Sequence, residues 1–412
     1  MELYIHIPFC VRKCRYCDFL SFPGGDADSY LFQLISEMEQ AAKEPGICGK
    51  MVSSVFIGGG TPSLLHPGQF ARLSDAVRKY FSMEKDAEWT IEANPGTITK
   101  EKLAAWKEGG VNRLSMGLQS AHDTELKLLG RIHTLEEFLE NYAIARHMGF
   151  DNINIDLMSA LPGQTLSSWK ETLRTVLSLR PEHISAYSLI VEPGTPFYEE
   201  YGPMSEALEQ YGEYEAMPAE LSGSFSEERR LPGETLDREM YHLTKTLLAE
   251  AGYHRYEISN YALPGRECRH NRGYWDGTEY LGVGLGAASL LEHRRFSVTS
   301  DIQRYLSLSA ADFAAGRHLE DIHALTEREQ MEEFMFLGLR LTEGVRESRF
   351  FARFGKTMDA VYGEALGKLR KEGLLGRAED EGPAGSPHDA RWFLTERGTD
   401  VSNAVFAEFL MD

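Results

Sequence analysis

The sequence predicts an α/β fold: a partial (β/α)6 barrel of TIM-like type, followed by a small C-terminal winged-helix-like α+β domain. Three observations predict it. Six short apolar runs alternate with amphipathic helical patterns over the first half of the chain, which is typical of parallel strands joined by right-handed helical crossovers. Glycines, cysteines and polar side chains follow the ends of these runs, as at the functional face of a barrel. From residue 326 onward, helical patterns dominate.

The individual elements follow from hydrophobic periodicity. Each predicted strand is a short buried run rich in β-branched or aromatic residues, and each helix has apolar residues three or four positions apart. An open, doubly wound sheet is the alternative arrangement for the same alternation. The predicted strands are 3–7, 52–57, 89–92, 113–117, 153–158 and 183–189, and the intervening helices are 28–43, 67–81, 100–108, 134–148 and 167–179.

The second half of the chain is less regular. Residues 198–234 are acidic and contain Gly, Ser and Pro, so we expect a surface loop there. The Gly/Pro/Asp-rich segment 378–387 predicts a turn between two short apolar runs. We expect domains at 1–235 (barrel), 236–320 (a barrel-completing segment) and 321–412 (winged helix). Helices are predicted at 236–252, 301–315, 327–339, 356–372 and 399–410.

Composition excludes several classes of function. The 412 residues are 42% hydrophobic and 26% charged, as in ordinary globular proteins. Lys and Arg total 43 against 63 Asp and Glu, a net charge of −20, which argues against binding nucleic acid or anionic lipid. The sequence shows neither an apolar run of membrane-spanning length nor a signal-peptide pattern. We therefore expect a cytoplasmic protein with reduced thiols and no integral membrane segment.

Three of the five cysteines form one motif. The segment CVRKCRYC places Cys10, Cys14 and Cys17 at C-x3-C-x2-C spacing, directly after the first predicted strand. Three thiolates on a short loop can hold three corners of a [4Fe–4S] cluster and leave one iron open to a ligand. The alternative is a zinc loop completed by a distant His or Cys, such as Cys48 or Cys268.

Other polar residues follow the remaining strands. The GGGTP segment 58–62 comes after the second strand and could clamp an amino-acid headgroup through its backbone, although a simple tight turn is the more frequent explanation of such a segment. Each of the others could alone be a structural polar residue or a helix cap. Together they indicate a binding site at one rim of the barrel. These residues are Glu92, Gln119, Arg131 and Asp156.

These motifs carry a family resemblance. The chain resembles the radical S-adenosylmethionine (SAM) superfamily and, within it, the HemN/HemW group. The similarity covers nearly the whole chain except residues 200–235 and 376–390. The matching segments are YIHIPF before CVRKCRYC, then GGGTPS, IEANP, NRLSMGLQS, NIDLMSALPGQT, HISAYSLIVEPGTPF, YEISNYA, RHNRGYW and EFMFLGLRLTEG.

The resemblance implies a partial barrel of radical SAM type and a set of cofactor contacts. It implies a [4Fe–4S] cluster on Cys10, Cys14 and Cys17, with SAM at the open iron. Some of the implied SAM contacts belong, in HemN-like proteins, to a second SAM molecule. The implied SAM-contacting positions are Tyr4, Tyr16, Gly59, Gly60, Thr61, Glu92, Gln119, Arg131 and Asp156.

Two branches of this group differ in function. HemN-type enzymes are oxygen-independent coproporphyrinogen III oxidases, and their signature usually has another cysteine where this chain has Phe19. HemW-like proteins are heme chaperones and carry an H-N-x3-W motif, present here as His270, Asn271 and Trp275. The resemblance thus favours a chaperone that passes heme to apo-proteins. It is also compatible with a homodimer. An imidazole is a sound heme ligand, and Cys268 is another candidate, but a buried, hydrogen-bonded histidine explains the motif as well.

Overall fold

A computed structural model describes residues 1–223, 229–380 and 389–411. The strands are β1 Glu2–Ile7, β2 Phe9–Cys10, β3 Phe22–Pro23, β4 Met51–Gly59, β5 Ser82–Ala93, β6 Arg113–Gln119, β7 Ile153–Ser159, β8 His183–Ser188, β9 His254–Arg255, β10 Asn260–Ala262, β11 Tyr280–Val283, β12 Ala288–Leu291, β13 Arg294–Val298, β14 Leu319–Ala324, β15 Val345–Arg346, β16 Leu375–Asp380 and β17 Asp389–Leu394.

Helices connect most of these strands. The helices are α1 Ala27–Ala41, α2 Pro67–Tyr80, α3 Lys100–Glu108, α4 Asp123–Leu129, α5 Leu135–His147, α6 Leu166–Leu179, α7 Pro196–Tyr211, α8 Ala219–Ser222, α9 Glu234–Glu250, α10 Arg269–Asp276, α11 Ile302–Ser307, α12 Ala310–Ala314, α13 Glu327–Gly338, α14 Glu347–Phe354, α15 Met358–Lys371, α16 Glu396–Asp400 and α17 Ser402–Ala407.

The predicted partial barrel is confirmed. One twelve-stranded sheet has the order β14-β13-β12-β11-β1-β4-β5-β6-β7-β8-β10-β9. The run from β11 to β8 is parallel, and the strands outside it pair antiparallel. Within the described ranges the edge strands β14 and β9 do not pair with each other, so the barrel stays open. The parallel strands carry their carboxyl ends to the same rim.

Local sequence signals begin the helices as predicted. Asp26 caps α1 by accepting hydrogen bonds from the amides of Asp28 and Ser29. Thr134 and Thr165 form capping boxes at α5 and α6, which satisfy backbone donors that the first turn leaves unpaired. The apolar faces of these helices pack onto the sheet. Central strand β1 is enclosed, since Leu3, Ile5 and Ile7 each have 0% exposure.

The structure corrects the expected loop at 198–234. Residues Pro196–Tyr211 form α7, which Thr195 caps and Pro196 begins. The helix buries Phe197 and Tyr201 beside the cysteine loop in a small separate apolar cluster. The interior Pro203 and neighbouring glycine suggested a break, but burial of this apolar face outweighs the local propensity. Residues 224–228 lie outside the described ranges.

Other boundaries also differ from the prediction. Helix 301–315 is divided into α11 and α12, because Ser309 starts a new capping box. The third strand is longer than predicted and starts at Ser82. The last predicted helix, 399–410, is replaced by α16 and α17. The predicted turn 378–387 falls mostly on residues 381–388, which lie outside the described ranges, between β16 and β17.

The winged-helix-like end is confirmed. Helices α13, α14 and α15 precede the β16–β17 pair, and β15 completes a three-stranded sheet of order β15-β17-β16. Its apolar core is distinct from that of the barrel and includes Met335, Phe350, Leu366 and Phe409. Helix α14 was missed because its eight residues are short and only Phe350 is buried.

Replacing Gly344 with Ala should destabilise this end of the chain. Gly344 has φ 69°, and an added Cβ would overlap the carbonyl oxygen of Trp392 on β17. Gly355 is the matched control, since it has φ 64° with no neighbour of an added Cβ within 4 Å. Gly355→Ala should lower the free energy of unfolding by about 1–2 kcal/mol through left-handed strain alone. Gly344→Ala should lower it by roughly 1–3 kcal/mol more. Thermal unfolding checks this, and equal effects would contradict it.

Candidate cofactor-binding site

A cleft of about 1000 Å³ opens at the carboxyl ends of the parallel strands. Its size suits a cofactor or other small molecule. Nearly every residue predicted for the rim lines it, although those residues come from six separate segments of the chain. The predicted residues that line it are Cys10, Cys14, Tyr16, Cys17, Gly59, Gly60, Thr61, Glu92, Gln119, Arg131 and Asp156.

The three cysteines of the motif face this cleft. Cys10 ends the short strand β2 and is buried, whereas Cys14 and Cys17 are half-buried. The loop between them is anchored to the end of α4. There, the amide of Arg15 donates to the carbonyl of Leu129 at 3.0 Å, and Arg12 Nη2 donates to the carbonyl of Gly130 at 2.6 Å. The folded chain thus holds the thiol-bearing loop in one conformation.

Arg131 provides positive charge beside the thiols. Its Nη1 lies 3.6 Å from Cys14 Sγ, and its Nη2 donates to Asn94 Oδ1 and to the Gly117 carbonyl, both at 2.6 Å. A guanidinium at this distance stabilises a thiolate. Burial raises the pKa of the Cys17 thiol to about 11, so iron binding would release its proton. These surroundings fit thiolate ligation of an iron–sulfur cluster.

Asn94 is a site residue that the sequence reasoning missed. It donates through Nδ2 to Thr61 Oγ1 at 2.9 Å, and Thr61 Oγ1 lies 3.5 Å from Cys10 Sγ. This chain of contacts links β5, the glycine segment and the first cysteine. The available signal was the position of Asn94, two residues after Glu92 at the end of β5.

The glycine segment is shaped by close backbone packing. Gly59 has φ 113°, and a Cβ there would lie 2.5 Å from the ring of His6. A Cβ at Gly60 would lie 2.7 Å from the carbonyl oxygen of Phe9, which is closer than real Cβ atoms approach. Glycine is therefore required for this segment to lie against the cysteine loop.

Two half-buried carboxyl groups face the same space. Burial, together with the neighbouring Asp156, raises the pKa of Glu92 to about 8, although Glu92 accepts a 3.0 Å hydrogen bond from the Gly59 amide. Burial also raises the pKa of Asp156, which accepts hydrogen bonds from Ser115 Oγ at 3.1 Å and Asn154 Nδ2 at 2.7 Å. A cationic or hydroxyl-bearing ligand would relieve the repulsion between these groups.

The remaining predicted SAM positions divide into two groups. Gln119 lines the cleft with φ 73°, at an irregularity in the pairing of β6 with β7, and Tyr16 packs edge-on to Phe197. Tyr4 lies outside the lining. Its hydroxyl is 3.0 Å from His6 Nδ1, and His6 Nε2 is 2.8 Å from the Leu20 carbonyl. Tyr4 is thus connected through His6 to the segment that follows the cysteine loop.

The H-N-x3-W motif lies at the other end of the barrel. It forms α10, which packs against β4. His270 is 1% exposed, with Nδ1 2.8 Å from Ser54 Oγ and Nε2 3.0 Å from the Tyr274 hydroxyl. Burial lowers its pKa to about 3. Both imidazole nitrogens therefore have protein partners, and binding of iron would require breaking one of these hydrogen bonds.

The other motif residues lie nearby. Trp275 packs under the guanidinium of Arg340, 4.3 Å from the ring centre, and Asn271 is half-buried. Cys268 is fully buried with its Sγ 3.3 Å from Glu88 Oε1, and burial strongly raises the pKa of its thiol.

The alternative interpretation, a zinc loop completed by Cys48 or Cys268, is wrong. Cys268 lies at the amino ends of the strands, and Cys48 is exposed beyond α1; neither reaches the cleft. In the described part of the chain, moreover, no three Cys, His, Asp or Glu side chains converge as ligands of one metal ion. A mononuclear zinc site needs such convergence.

Comparison with known proteins agrees with this geometry. Residues 4–176 match the Radical SAM superfamily and residues 325–382 the HemN C-terminal domain. The heme chaperone HemW of Bacillus subtilis is 37% identical, over 99% of this chain and 98% of the relative. The heme chaperone HemW of Lactococcus lactis is 34% identical, over 99% of this chain and 97% of the relative. The structure of coproporphyrinogen III oxidase (HemN) from Escherichia coli gives a TM-score of 0.78 at 24% identity, covering 100% of this chain and 90% of that one, which supports the fold.

The open barrel and the three-cysteine cleft define a protein of the radical SAM class. Within that class, the full-length similarity to curated relatives decides the family. The chain belongs to the HemW family. Among its described helices, none combines the length and apolar content needed to cross a bilayer.

Replacing Gly60 with Ala should impair the site. An added Cβ would push on the backbone of Phe9 and so displace Cys10, whereas Gly68 on α2 has open space around it. We expect Gly60→Ala to retain less than half of the iron and sulfide bound by wild-type protein after anaerobic reconstitution, and Gly68→Ala to load normally. Full loading of Gly60→Ala would contradict this account of the segment.

Replacing Glu2 with Gln should change the pH dependence of stability. Burial, followed by repulsion from Asp276, raises the pKa of Glu2 from 4.5 to about 9. The unfolded chain releases this proton earlier than the folded protein, so wild-type stability should decline as pH rises from 4.5 to 9. Glu2→Gln should therefore lose less stability than wild type as the pH rises. Glu140 is exposed, so Glu140→Gln should lose as much stability as wild type. Melting temperatures across this range measure the effect, and parallel curves for all three proteins would refute it.

Proposed function

We propose that this protein binds heme and transfers it to apo-proteins, as a heme chaperone with a [4Fe–4S] cluster and SAM. The observation that carries the proposal is the similarity to proteins named heme chaperone HemW over 99% of the chain. The three-cysteine cleft supports the cofactor part of the proposal. In this proposal the partners are heme and heme-receiving apo-proteins, and the location is the cytoplasm.

Cys10, Cys14 and Cys17 are proposed to hold the cluster at three irons. When bound, a cluster with three thiolate ligands supplies an electron and one open iron. The protein contributes the surroundings. Arg131 offsets the negative charge of Cys14, and the Thr61 hydroxyl lies against Cys10.

The opposite wall of the cleft is proposed to hold SAM. Gly59, Gly60 and Thr61 would present backbone groups to its amino-acid end. Carboxyl groups of Glu92 and Asp156 suit its amino group and ribose hydroxyls, and Arg131 suits its carboxylate. Tyr16 and Gln119 line the same cleft, while Tyr4 would act through His6.

We also propose a functional division of the chain into 1–235, 236–320 and 321–412. The middle segment adds strands at both edges of the parallel run and contains α10 with His270, Asn271 and Trp275. We keep these three residues as heme-binding candidates. In this structure the His270 ring is held by hydrogen bonds and the Trp275 ring packs against Arg340, so heme binding at His270 would require local rearrangement.

Phe19 favours the chaperone over the oxidase. It is 59% exposed and lines the cleft, at the position where the oxidase signature usually has another cysteine. Anaerobic incubation of the reconstituted protein with coproporphyrinogen III, SAM and a reductant tests the oxidase activity, beside a heme titration of the same material. We expect stable heme binding without turnover of the porphyrinogen. Catalytic turnover would overturn the proposal, and so would absence of heme binding with an intact cluster.

Cys14→Ser should abolish the cluster, because two remaining thiolates hold a cubane poorly. The matched control is Cys48→Ser, since Cys48 is exposed beyond α1. After anaerobic reconstitution, Cys14→Ser should lose the brown chromophore and most bound iron, and Cys48→Ser should match wild type. Full iron content in Cys14→Ser would remove Cys14 from the ligand set.

A further inference from the structure

A row of buried polar side chains crosses the interior of the barrel beneath the cysteine cleft. The strand registers place Ser115 of β6 beside Asn154 of β7, and Asn154 beside His183 of β8. Tyr256, which follows β9, is buried as well, and all four residues are at most 5% exposed. Polar groups in such surroundings are unfavourable unless they are hydrogen-bonded, so their partners define what they do.

Three hydrogen bonds join this row to Asp156, which lines the cleft. The Tyr256 hydroxyl lies 2.9 Å from Nε2 of His183, and Nδ1 of the same ring lies 2.7 Å from Oδ1 of Asn154. Nδ2 of Asn154 then donates to Oδ1 of Asp156 at 2.7 Å. Tyr256, His183 and Asn154 do not line the cleft themselves, so they act on a bound molecule only through Asp156.

The direction of these hydrogen bonds follows from the carboxylate at one end. An ionised carboxylate only accepts, so Asn154 presents its amide nitrogen to Asp156 and its carbonyl oxygen to His183. Burial, followed by the positive charge of Arg113, holds the pKa of His183 well below its usual value, so the imidazole is neutral. Its single proton is therefore on Nδ1, and Nε2 accepts from the Tyr256 hydroxyl.

Both oxygens of Asp156 depend on the Asn154 amide. Oδ1 accepts directly from Asn154, and Oδ2 accepts from Ser115 Oγ at 3.1 Å. The Ser115 hydroxyl is itself oriented by Asn154, whose Nδ2 donates to Ser115 Oγ at 2.8 Å. Burial raises the pKa of Asp156, and the hydrogen bonds from Asn154 and Ser115 oppose that effect. Without a fixed amide, the carboxylate would lose both its charge stabilisation and its orientation.

We propose that His183 is a positioning residue for the cleft: it fixes the Asn154 amide, which holds the Asp156 carboxylate in the orientation that binds SAM. The inference rests on the proposed function, because it requires SAM in the cleft, and it adds residues outside the cleft to those that determine SAM affinity. The far end of the hydrogen-bond chain is held too, since the Tyr256 carbonyl accepts from the Thr342 amide at 3.0 Å.

The test is anaerobic equilibrium dialysis of SAM against the full-length protein with its reconstituted cluster. His183→Leu removes the donor to Asn154 and should bind SAM about tenfold more weakly, because a hydrogen bond in a chain that ends on a charged group is lost. His183→Asn should restore most of the affinity, since its amide nitrogen can take the place of Nδ1. His318→Leu is the matched control, as a buried histidine outside the cleft lining, and should match wild type.

A double-mutant cycle separates positioning from a general structural role. Asp156→Asn should weaken SAM binding by itself. Adding His183→Leu to Asp156→Asn should weaken it little further, because His183 acts through the carboxylate that is already gone. A merely structural His183 would cause the same loss in both backgrounds. Cluster iron content and melting temperature, measured on each variant, identify any that is misfolded.

A tyrosine pair tests the chain with smaller changes. Tyr256→Phe removes only the hydroxyl that donates to His183 and should weaken SAM binding by about threefold. Tyr261→Phe is its control, because the Tyr261 hydroxyl is buried without a hydrogen-bond partner among the described residues, and should match wild type.

The outcomes distinguish this inference from the proposed function. If wild type binds SAM while His183→Leu and Tyr256→Phe bind it equally well, the inference is overturned and the proposed function stands. Equal losses in His183→Leu and His183→Asn, or additive losses in the cycle with Asp156→Asn, would also overturn it. If wild type with an intact cluster binds no SAM, the cofactor part of the proposed function fails, and the inference fails with it.

Discussion

The parallel pairing of β1 with two neighbours is the constraint on which the rest of the structure depends. β1 lies between β11 and β4, and its register with β4 brings Ile7 opposite Gly59. The cysteine loop leaves β1 at this point, so it meets the glycine segment directly. Because a parallel sheet collects the carboxyl ends of its strands at one rim, this register, together with the registers of β4 to β7, determines which residues of β5, β6 and β7 face the thiols.

The cleft brings together side chains of opposite charge that line one shared space. Arg131 is held by Asn94 and the Gly117 carbonyl and lies against Cys14, while Glu92 and Asp156 are both half-buried and line the same cleft. Because the side chains of Arg131, Glu92 and Asp156 are only partly exposed, water screens their charges incompletely. The arrangement therefore favours a ligand that is cationic at one end and anionic at the other.

Much of this was predictable from local sequence. The strands β1 and β4 to β8 follow from their apolar runs, and the cleft residues follow from polar positions where those runs end. Other features depend on long-range contacts that a local pattern does not contain. Strand β11 has only four residues and finds its parallel partner β1 far away along the chain, and β12 to β14 then extend the sheet from β11 by antiparallel pairing. Helix α7 forms because it buries Phe197 and Tyr201, despite Pro203. The motif containing His270 gave no indication of which end of the barrel it would occupy.

Tyr30 on α1 is hydrogen-bonded on both sides. Its hydroxyl donates to the His6 carbonyl at 2.8 Å and accepts from the Leu285 amide at 2.9 Å, while Glu37, two turns further along α1, binds the Gly284 amide. One face of α1 therefore bridges the end of β1 and the segment that follows β11. A displacement of α1 would therefore move the end of β1, from which the cysteine loop leaves, together with the segment after β11, so these two distant parts of the chain are coupled through one helix.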